Sequence, residues 1–251
     1  MALHLIGIGL SDEKDITVKG LEAVKKCRKV YLEVYTSVLQ VRVRDLERFY
    51  GKKIIEADRD LIENKADRIL DDAKNDDTAL LVIGDPMSAT THIDLMMRAK
   101  EKGIETVVVN NASVLNAVGM TGLQLYKFGK TTSIPFPENV MSEAPYDSIK
   151  MNKANGLHTL CLLDLDPKKD RFMTVNDAMH VLNGIEEKRK EGLFTGDTYV
   201  VGCARLGSQD FYIKAGRANE LDEVHFGKPP FCLIVPGQMH FMEEEAVKRF
   251  E

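Results

Sequence analysis

Leu81-Val82-Ile83-Gly84-Asp85-Pro86-Met87-Ser88-Ala89-Thr90-Thr91-His92 is the stretch that decides how the rest of the chain reads. Its apolar opening continues from Ala79 and Leu80 and has the character of a short, fully buried strand. Gly84-Asp85-Pro86 then ends the strand, because glycine frees the backbone while proline fixes its own φ and removes a donor. Thr90 or Thr91 can cap a helix whose apolar positions include Ile93, Leu95, Met96 and Ala99. A strand that breaks here and re-enters a helix places the Asp85 carboxylate at the carboxyl end of a sheet, where open α/β sheets bind ligands. Taken alone, the tripeptide reads as an ordinary tight turn. The rest of the chain shifts that balance.

Upstream, residues 3–6 form a first strand closed by Gly7-Ile8-Gly9-Leu10, and Thr17 can cap a helix carrying Val18, Leu21 and Val24. Residues 30–35 are rich in strand formers, and two helical stretches follow, one with Leu46 and Phe49, the other with Ile62, Ala66, Ile69 and Leu70. Downstream, a helix runs to about Lys102 and residues 106–109 form another strand. Strands alternating with helices predict an open parallel α/β domain over residues 1–110. Asn110-Asn111-Ala112-Ser113 marks the junction. Beyond it, residues 111–251 read as a second α/β domain. Its strands lie at 131–134, 158–163, 198–204, 211–213 and 231–235, with a helix near 146–153, one capped by Thr174 and a short one near the C-terminus. Several of these strands follow one another without a helix between, which predicts a mixed sheet.

Composition narrows the class. Of 251 residues, 44% are hydrophobic and 29% charged, the content of a globular protein. No apolar run approaches a membrane span, and Met1-Ala2-Leu3-His4-Leu5-Ile6 lacks the basic region and cleavage site of a leader. A formal charge of −5 argues against nucleic acid as a direct partner. Cys27, Cys161, Cys203 and Cys232 are widely spaced, and three sit in apolar runs, so buried free thiols in a cytoplasmic protein are expected.

The motif search is mostly exclusion. Gly7-x-Gly9 lacks the third glycine of a dinucleotide fingerprint, since Asp12 stands in its place, although Glu33 lies near the ribose-binding position. No Walker lysine, Gly-x-Ser-x-Gly or His-Glu-x-x-His motif is present, and the histidines show no metal-ligand spacing. Asp164 and Asp166 read as a strand-ending turn rather than a metal site. What remains are strand-end loops with small or polar residues: 7–10, 84–88, 111–114, 163–164 and 205–207. Such loops suit a large ligand held by backbone groups and a few polar contacts, with the reactive group carried by a cofactor.

Longer blocks are specific. Leu5-Ile6-Gly7-Ile8-Gly9-Leu10, Lys14-Asp15-Ile16-Thr17-Val18-Lys19-Gly20-Leu21, Glu33-Val34-Tyr35-Thr36-Ser37, Asn111-Ala112-Ser113-Val114, Gly122-Leu123-Gln124-Leu125-Tyr126-Lys127-Phe128-Gly129 and His158-Thr159-Leu160-Cys161-Leu162-Leu163-Asp164 occur in order. With Gly84-Asp85-Pro86 and Ala89-Thr90-Thr91-His92, this series resembles the diphthine synthases over nearly the whole chain. The resemblance implies a methyltransferase of the tetrapyrrole-methylase type: two α/β domains, S-adenosyl-L-methionine in the cleft between them, S-adenosyl-L-homocysteine as product, and a homodimer. It implies as substrate the aminocarboxypropyl-modified histidine of translation elongation factor 2, methylated to trimethylated diphthine or, as favoured here, to the tetramethylated methyl ester. The family's donor-binding positions fall on Leu10, Asp85, Ser88, Ser113, Val114, Leu163, Leu206 and Phe231. Three depart from the family pattern: Ser88 replaces a small apolar residue, Leu206 a smaller one, and Phe231 a common histidine. Asp85 is expected to anchor polar or cationic groups of the donor, or to cap the following helix. Tyr35, Thr36, Thr91, Tyr126 and Lys127 are substrate-side candidates, and no general base is assigned. Two other readings share the sequence: a tetrapyrrole-precursor methyltransferase on the same fold, and a non-catalytic relative that binds the elongation factor.

Overall fold

The computed structural model describes residues 1–88, 92–140 and 142–251. The chain forms two compact units, Met1–Val114 and Leu115–Glu251. In the first, β1 (Ala2–Gly7) leads to α1 (Val18–Lys26), β2 (Lys29–Glu33), α2 (Val43–Tyr50) and β3 (Ile55–Ala57). A π-helical turn (Asp60–Asn64) and α3 (Asp67–Asn75) precede β4 (Thr78–Val82), α4 (His92–Glu101) and β5 (Glu105–Val109). The strands form one parallel sheet in the order β3-β2-β4-β1-β5.

Alternation along each strand sends side chains to opposite faces, and both faces are covered. Ile6, Val30, Leu32, Ala79 and Leu81 pack with Val24 of α1 and with Leu46 and Tyr50 of α2. Leu3, Leu5, Tyr31, Leu80 and Val82 pack with Ile69 and Leu70 of α3 and with Leu95 and Ala99 of α4. Thr17 caps α1 as expected, its hydroxyl accepting from Gly20 N at 3.0 Å. Three expected core positions are not buried: Val18 is 77% exposed, Ile93 58% and Phe49 43%. Next to Ile93 it is His92 that is buried, next to Phe49 it is Tyr50, and in α1 Gly20 and Val24 take the inward face. The capping threonines proposed for α4 lie outside the described residues.

The second unit begins with α5 (Val114–Ala117), which straddles the junction, and two 3-10 turns, Val118–Thr121 and Leu125–Lys127. Then come β6 (Thr132–Ile134), α6 (Ala144–Ala154), β7 (Thr159–Leu163) and a small hairpin of β8 (Leu165–Asp166) and β9 (Arg171–Phe172). The unit continues with α7 (Val175–Arg189), β10 (Tyr199–Ala204), β11 (Tyr212–Arg217), α8 (Ala218–Leu221), β12 (Phe231–Val235) and α9 (Phe241–Lys248). Its main sheet has the order β11-β10-β12-β7-β6 and is antiparallel except for the β6–β7 pair, the mixed sheet anticipated from the sequence. Tyr146 and Ile149 of α6 and Met179, Leu182 and Ile185 of α7 share one core with Cys161, Leu163, Val200 and Leu233. Thr174 and Asp177 form the capping box that starts α7. All four cysteines are buried and free. Among the described residues, no helix is long and apolar enough to cross a membrane.

Candidate functional site

Three neighbouring strands of the first sheet, β4, β1 and β5, end in loops that are tied to one another. Beyond β1, Gly9 accepts from Gly84 N at 2.7 Å, and Ile8 N donates to Val82 O at 2.9 Å. Asn111, beyond β5, donates its side-chain amide to Gly7 O at 2.9 Å and to Asp15 O at 3.0 Å. Gly7 admits this closeness because a Cβ there would stand 2.6 Å from Gly84 O and 2.8 Å from Asn111 Cβ. Asp15 in turn accepts from Leu10 N and Ser11 N, which fixes the direction of Leu10.

Asp85 sits in the middle of these ties and is 6% exposed. Its Oδ1 accepts from Met87 N at 2.8 Å and Ser88 Oγ at 3.3 Å; its Oδ2 accepts from Asn111 N at 2.9 Å and Asn110 Nδ2 at 3.0 Å. Burial works against the carboxylate, but these donors prevail and hold its pKa below the usual range. The charge is thus directed inward, onto the turn and the end of β5.

Gly84 is the open point of this arrangement. Its φ is +83°, and a Cβ built there would face Ala112 O, Leu10 Cδ2 and Ser113 Cα, each 3.8 Å away. A side chain there would come into ordinary contact with Leu10 and Ser113, with Asp85 and Ser88 on the turn beside it and Val114 next in sequence. Five expected donor-binding positions are brought together here, around a cradle that a side chain would fill and beside a carboxylate already satisfied. That suits a ligand met largely by backbone groups.

The other three positions lie at one end of the second sheet. Leu163 ends β7, Phe231 begins β12 opposite Ala204, and Leu206 follows β10. The Leu206 loop is set by Arg205, a buried residue with φ +52°. Its guanidinium donates to Asp210 O, Asp210 Oδ2, Phe226 O and Lys228 O, and its own carbonyl accepts from Ser208 N and Oγ. Asp164 accepts from Phe136 N and Leu165 N, the turn role expected of it, and Asp166 pairs with Lys169.

Two buried pairs escaped the sequence reading. Glu33 and His92 are each 1% exposed, with His92 Nε2 2.5 Å from Glu33 Oε2 and His92 Nδ1 3.1 Å from Pro86 O. Thr36, a substrate-side candidate, donates to the other oxygen of Glu33. In the second unit, Glu243 of α9 meets His158 Nε2 at 2.9 Å and Lys127 Nζ at 2.5 Å, and also accepts from Gln124 N and His240 N. Lys127, another substrate-side candidate, is thereby engaged in joining α9 to the 3-10 turn. Of the remaining candidates, Tyr35 lies under the Arg59 guanidinium, Tyr126 is 79% exposed, and Thr91 is outside the described residues. A groove of about 840 Å³ in the second unit, lined by Phe136, Val140, Phe172, Val181 and Ile185 among others, includes none of the donor-binding positions.

The fold is a doubly wound parallel-sheet domain followed by a second domain with a mixed sheet. Residues 2–222 match the model for Tetrapyrrole (Corrin/Porphyrin) Methylases, and the chain belongs to that family; it is an S-adenosylmethionine-dependent methyltransferase. Within the family it is similar to both diphthine methyl ester synthases and diphthine synthases. It is 45% identical over 268 residues to the diphthine methyl ester synthase of Dictyostelium discoideum, covering 100% of this chain and 98% of that one. It is 48% identical over 246 residues to the diphthine synthase of Methanococcus aeolicus, covering 97% of this chain and 96% of that one. A crystal structure of diphthine synthase superposes with a TM-score of 0.91 at 38% identity, covering 100% of this chain and 96% of that one.

Proposed function

We propose that this chain methylates the aminocarboxypropyl-modified histidine of translation elongation factor 2, as a step in diphthamide synthesis, and that it acts as a homodimer. The observation that carries the donor assignment is the convergence of Leu10, Asp85, Ser88 and Ser113 about Gly84 at the carboxyl ends of adjacent strands, where a Cβ on Gly84 would meet no atom closer than 3.8 Å. The substrate assignment is supported by the names of the relatives at 45% and 48% identity. Those names include both the synthase and the methyl ester synthase. The tetramethylated ester is favoured because the likeness around Tyr35 and residues 158–164 leans toward eukaryotic members.

When bound, the donor supplies a methyl group on a cationic sulfur, open to displacement by a neutral amine. The residues of the chain position it. Leu10 and Val114 would contribute apolar surface, the Ser88 and Ser113 loops polar groups, and Gly84 the space for close approach. Asp85 acts by holding the turn against Asn110 and Asn111. Within the second unit, the residues the resemblance offers for the donor are Leu163, Leu206 and Phe231, gathered at one end of its sheet. Alignment and the exclusion of water account for the rate, since a well-oriented displacement needs no protein nucleophile.

The test is a methylation assay with purified chain, labelled donor, and either elongation factor carrying the aminocarboxypropyl histidine or a tetrapyrrole precursor. Transfer to the elongation factor alone is expected. Transfer to the tetrapyrrole alone would overturn the substrate assignment, and donor binding without transfer to either would favour a non-catalytic binding protein. Mass spectrometry of the product separates ester from trimethyl product by about 14 Da, one methylene from the donor chemistry. Light scattering reads the oligomeric state.

A further inference from the structure

We propose that His92 and Glu33 are positioning residues for methyl transfer: their buried pair sets the Pro86 carbonyl, and with it the turn that carries Asp85 and Ser88, against the end of β2. The proposal rests on the reading that this turn holds the donor.

The geometry and the charge partner together point to the state of the ring. Its Nδ1 faces a carbonyl oxygen and its Nε2 a carboxylate oxygen, and both are acceptors. A neutral imidazole has one N–H and would leave a lone pair against one of them. With Glu33 as a carboxylate, an imidazolium satisfies both contacts, and the raised pKa of His92 agrees with that state. Among the described residues, Glu33 of β2 is the charged group acting on it and Pro86 supplies the neutral contact. Burial opposes the charge, yet Glu33 more than offsets this and the pKa of His92 is raised.

A buried ion pair is a poor way simply to join two elements, because apolar side chains of similar volume usually hold them as well or better. What the pair adds is direction. The turn after β4 is held on one side by the four contacts of Asp85, which reach the end of β5. On the other side, Pro86 O is held by His92 at the start of α4, and through Glu33 the tie extends to Thr36 beyond β2. Pinned from both sides, the turn cannot slide, and in a displacement a misplacement of about 1 Å costs about a hundredfold in rate.

The experiment compares two amides at one position. In His92→Asn the side-chain nitrogen matches Nδ1 and can still donate to Pro86 O; in His92→Gln it matches Nε2 and can still donate to Glu33. Calorimetric titration with S-adenosylhomocysteine is expected to show His92→Gln weakened about tenfold or more and His92→Asn within about threefold of the parent, even where their melting temperatures fall equally. Equal weakening, the reverse order, or losses that simply follow melting temperature would overturn the positioning role. Gly84→Ala serves as the control. If it leaves affinity unchanged, the donor site itself is misplaced and the proposal falls with it; if it weakens binding while the two His92 variants behave alike, the positioning role alone falls. Should either variant fail to fold, nitrogen-15 spectra of the unmodified chain decide: imidazolium shifts for His92 at neutral pH are expected, and a neutral tautomer overturns the proposal.

Discussion

Replacing Asp85 by asparagine should damage the fold of the first unit before it damages any charge contact with the donor. All four partners of the carboxylate are donors: Met87 N, Ser88 Oγ, Asn110 Nδ2 and Asn111 N. Asparagine keeps one acceptor oxygen and turns its amide toward two of them, so two contacts become donor against donor. Each hydrogen bond to a charged group is worth about 1.5–3 kcal/mol. The Ser88 hydroxyl, at 3.3 Å, can rotate away, so the loss should be about 2–4 kcal/mol rather than the full sum. At roughly 2–4 °C per kcal/mol for chains near this length, melting should fall by about 5–15 °C. Differential scanning calorimetry of both proteins reads this directly. The sign with pH gives a second check: the pKa of Asp85 is depressed, so its contribution is present above the ordinary value of 3.8 and is lost as pH falls through the native one. The gap between parent and variant should therefore close on acidification. A melting temperature within about 2 °C of the parent, with donor binding at least tenfold weaker, would refute this reasoning and return the charge to the donor.

Gly84→Ala should cost stability by about 1–2 kcal/mol through its positive φ, and donor affinity by more than that implies, because the added methyl enters the cradle; calorimetry with S-adenosylhomocysteine reads both effects. Arg205→Lys should destabilise the second unit by about 2–4 kcal/mol, since one ammonium cannot replace a guanidinium bonded to Asp210, Phe226 and Lys228; chemical denaturation measures it. The second unit should weaken in two stages in acid. Burial keeps His158 neutral against the pull of Glu243, so its contribution holds above about 6.5 and is lost as pH falls toward its lowered pKa. Burial also opposes the Glu243 charge, but the donors on it win and bring its pKa down to about 2, so its contribution fades between the ordinary 4.5 and that value. Melting against pH should show both stages, and Glu243→Gln should remove the lower one.

Features governed by near neighbours in sequence were the legible ones. Thr17 and Thr174 announce their helices because a cap and its target lie three residues apart. The strand that stops shortly before Gly84 was readable for the same reason, as was the alternation of strands and helices that gives the first sheet. The roles of buried polar side chains were not, because their partners are distant. Glu33 and His92 are 59 positions apart, and Asp85 finds Asn110 and Asn111 25 and 26 positions on. Nothing in local pattern says that the Asp85 carboxylate turns inward. The β8–β9 hairpin read as a plain turn because its strands are two residues long, too short for any periodicity. The outward placement of Val18 and Ile93 was missed because each lies in the first turn of its helix, where periodicity is weakest.

The Glu243 cluster has a consequence for the order in which the chain is made. Its carboxylate closes onto groups 119, 116 and 85 positions earlier: Gln124, Lys127 and His158. Until the ribosome has added α9 and released it from the exit tunnel, the Lys127 ammonium has Gln238 O but no carboxylate, the His158 ring has Gly237 N but no acceptor for its Nε2, and β7 lacks part of what holds its start. In the first unit, by contrast, the partners of Asp85, Glu33 and His92 among the described residues all lie before Val114. Synthesis should therefore yield a folded first unit well before the second can close, with a stretch of more than a hundred residues waiting on one glutamate. Contacts of such separation also form slowly, since the loop between them must be ordered first. A ribosome stalled before residue 243 should expose protease-sensitive sites in the second unit while the first already resists digestion.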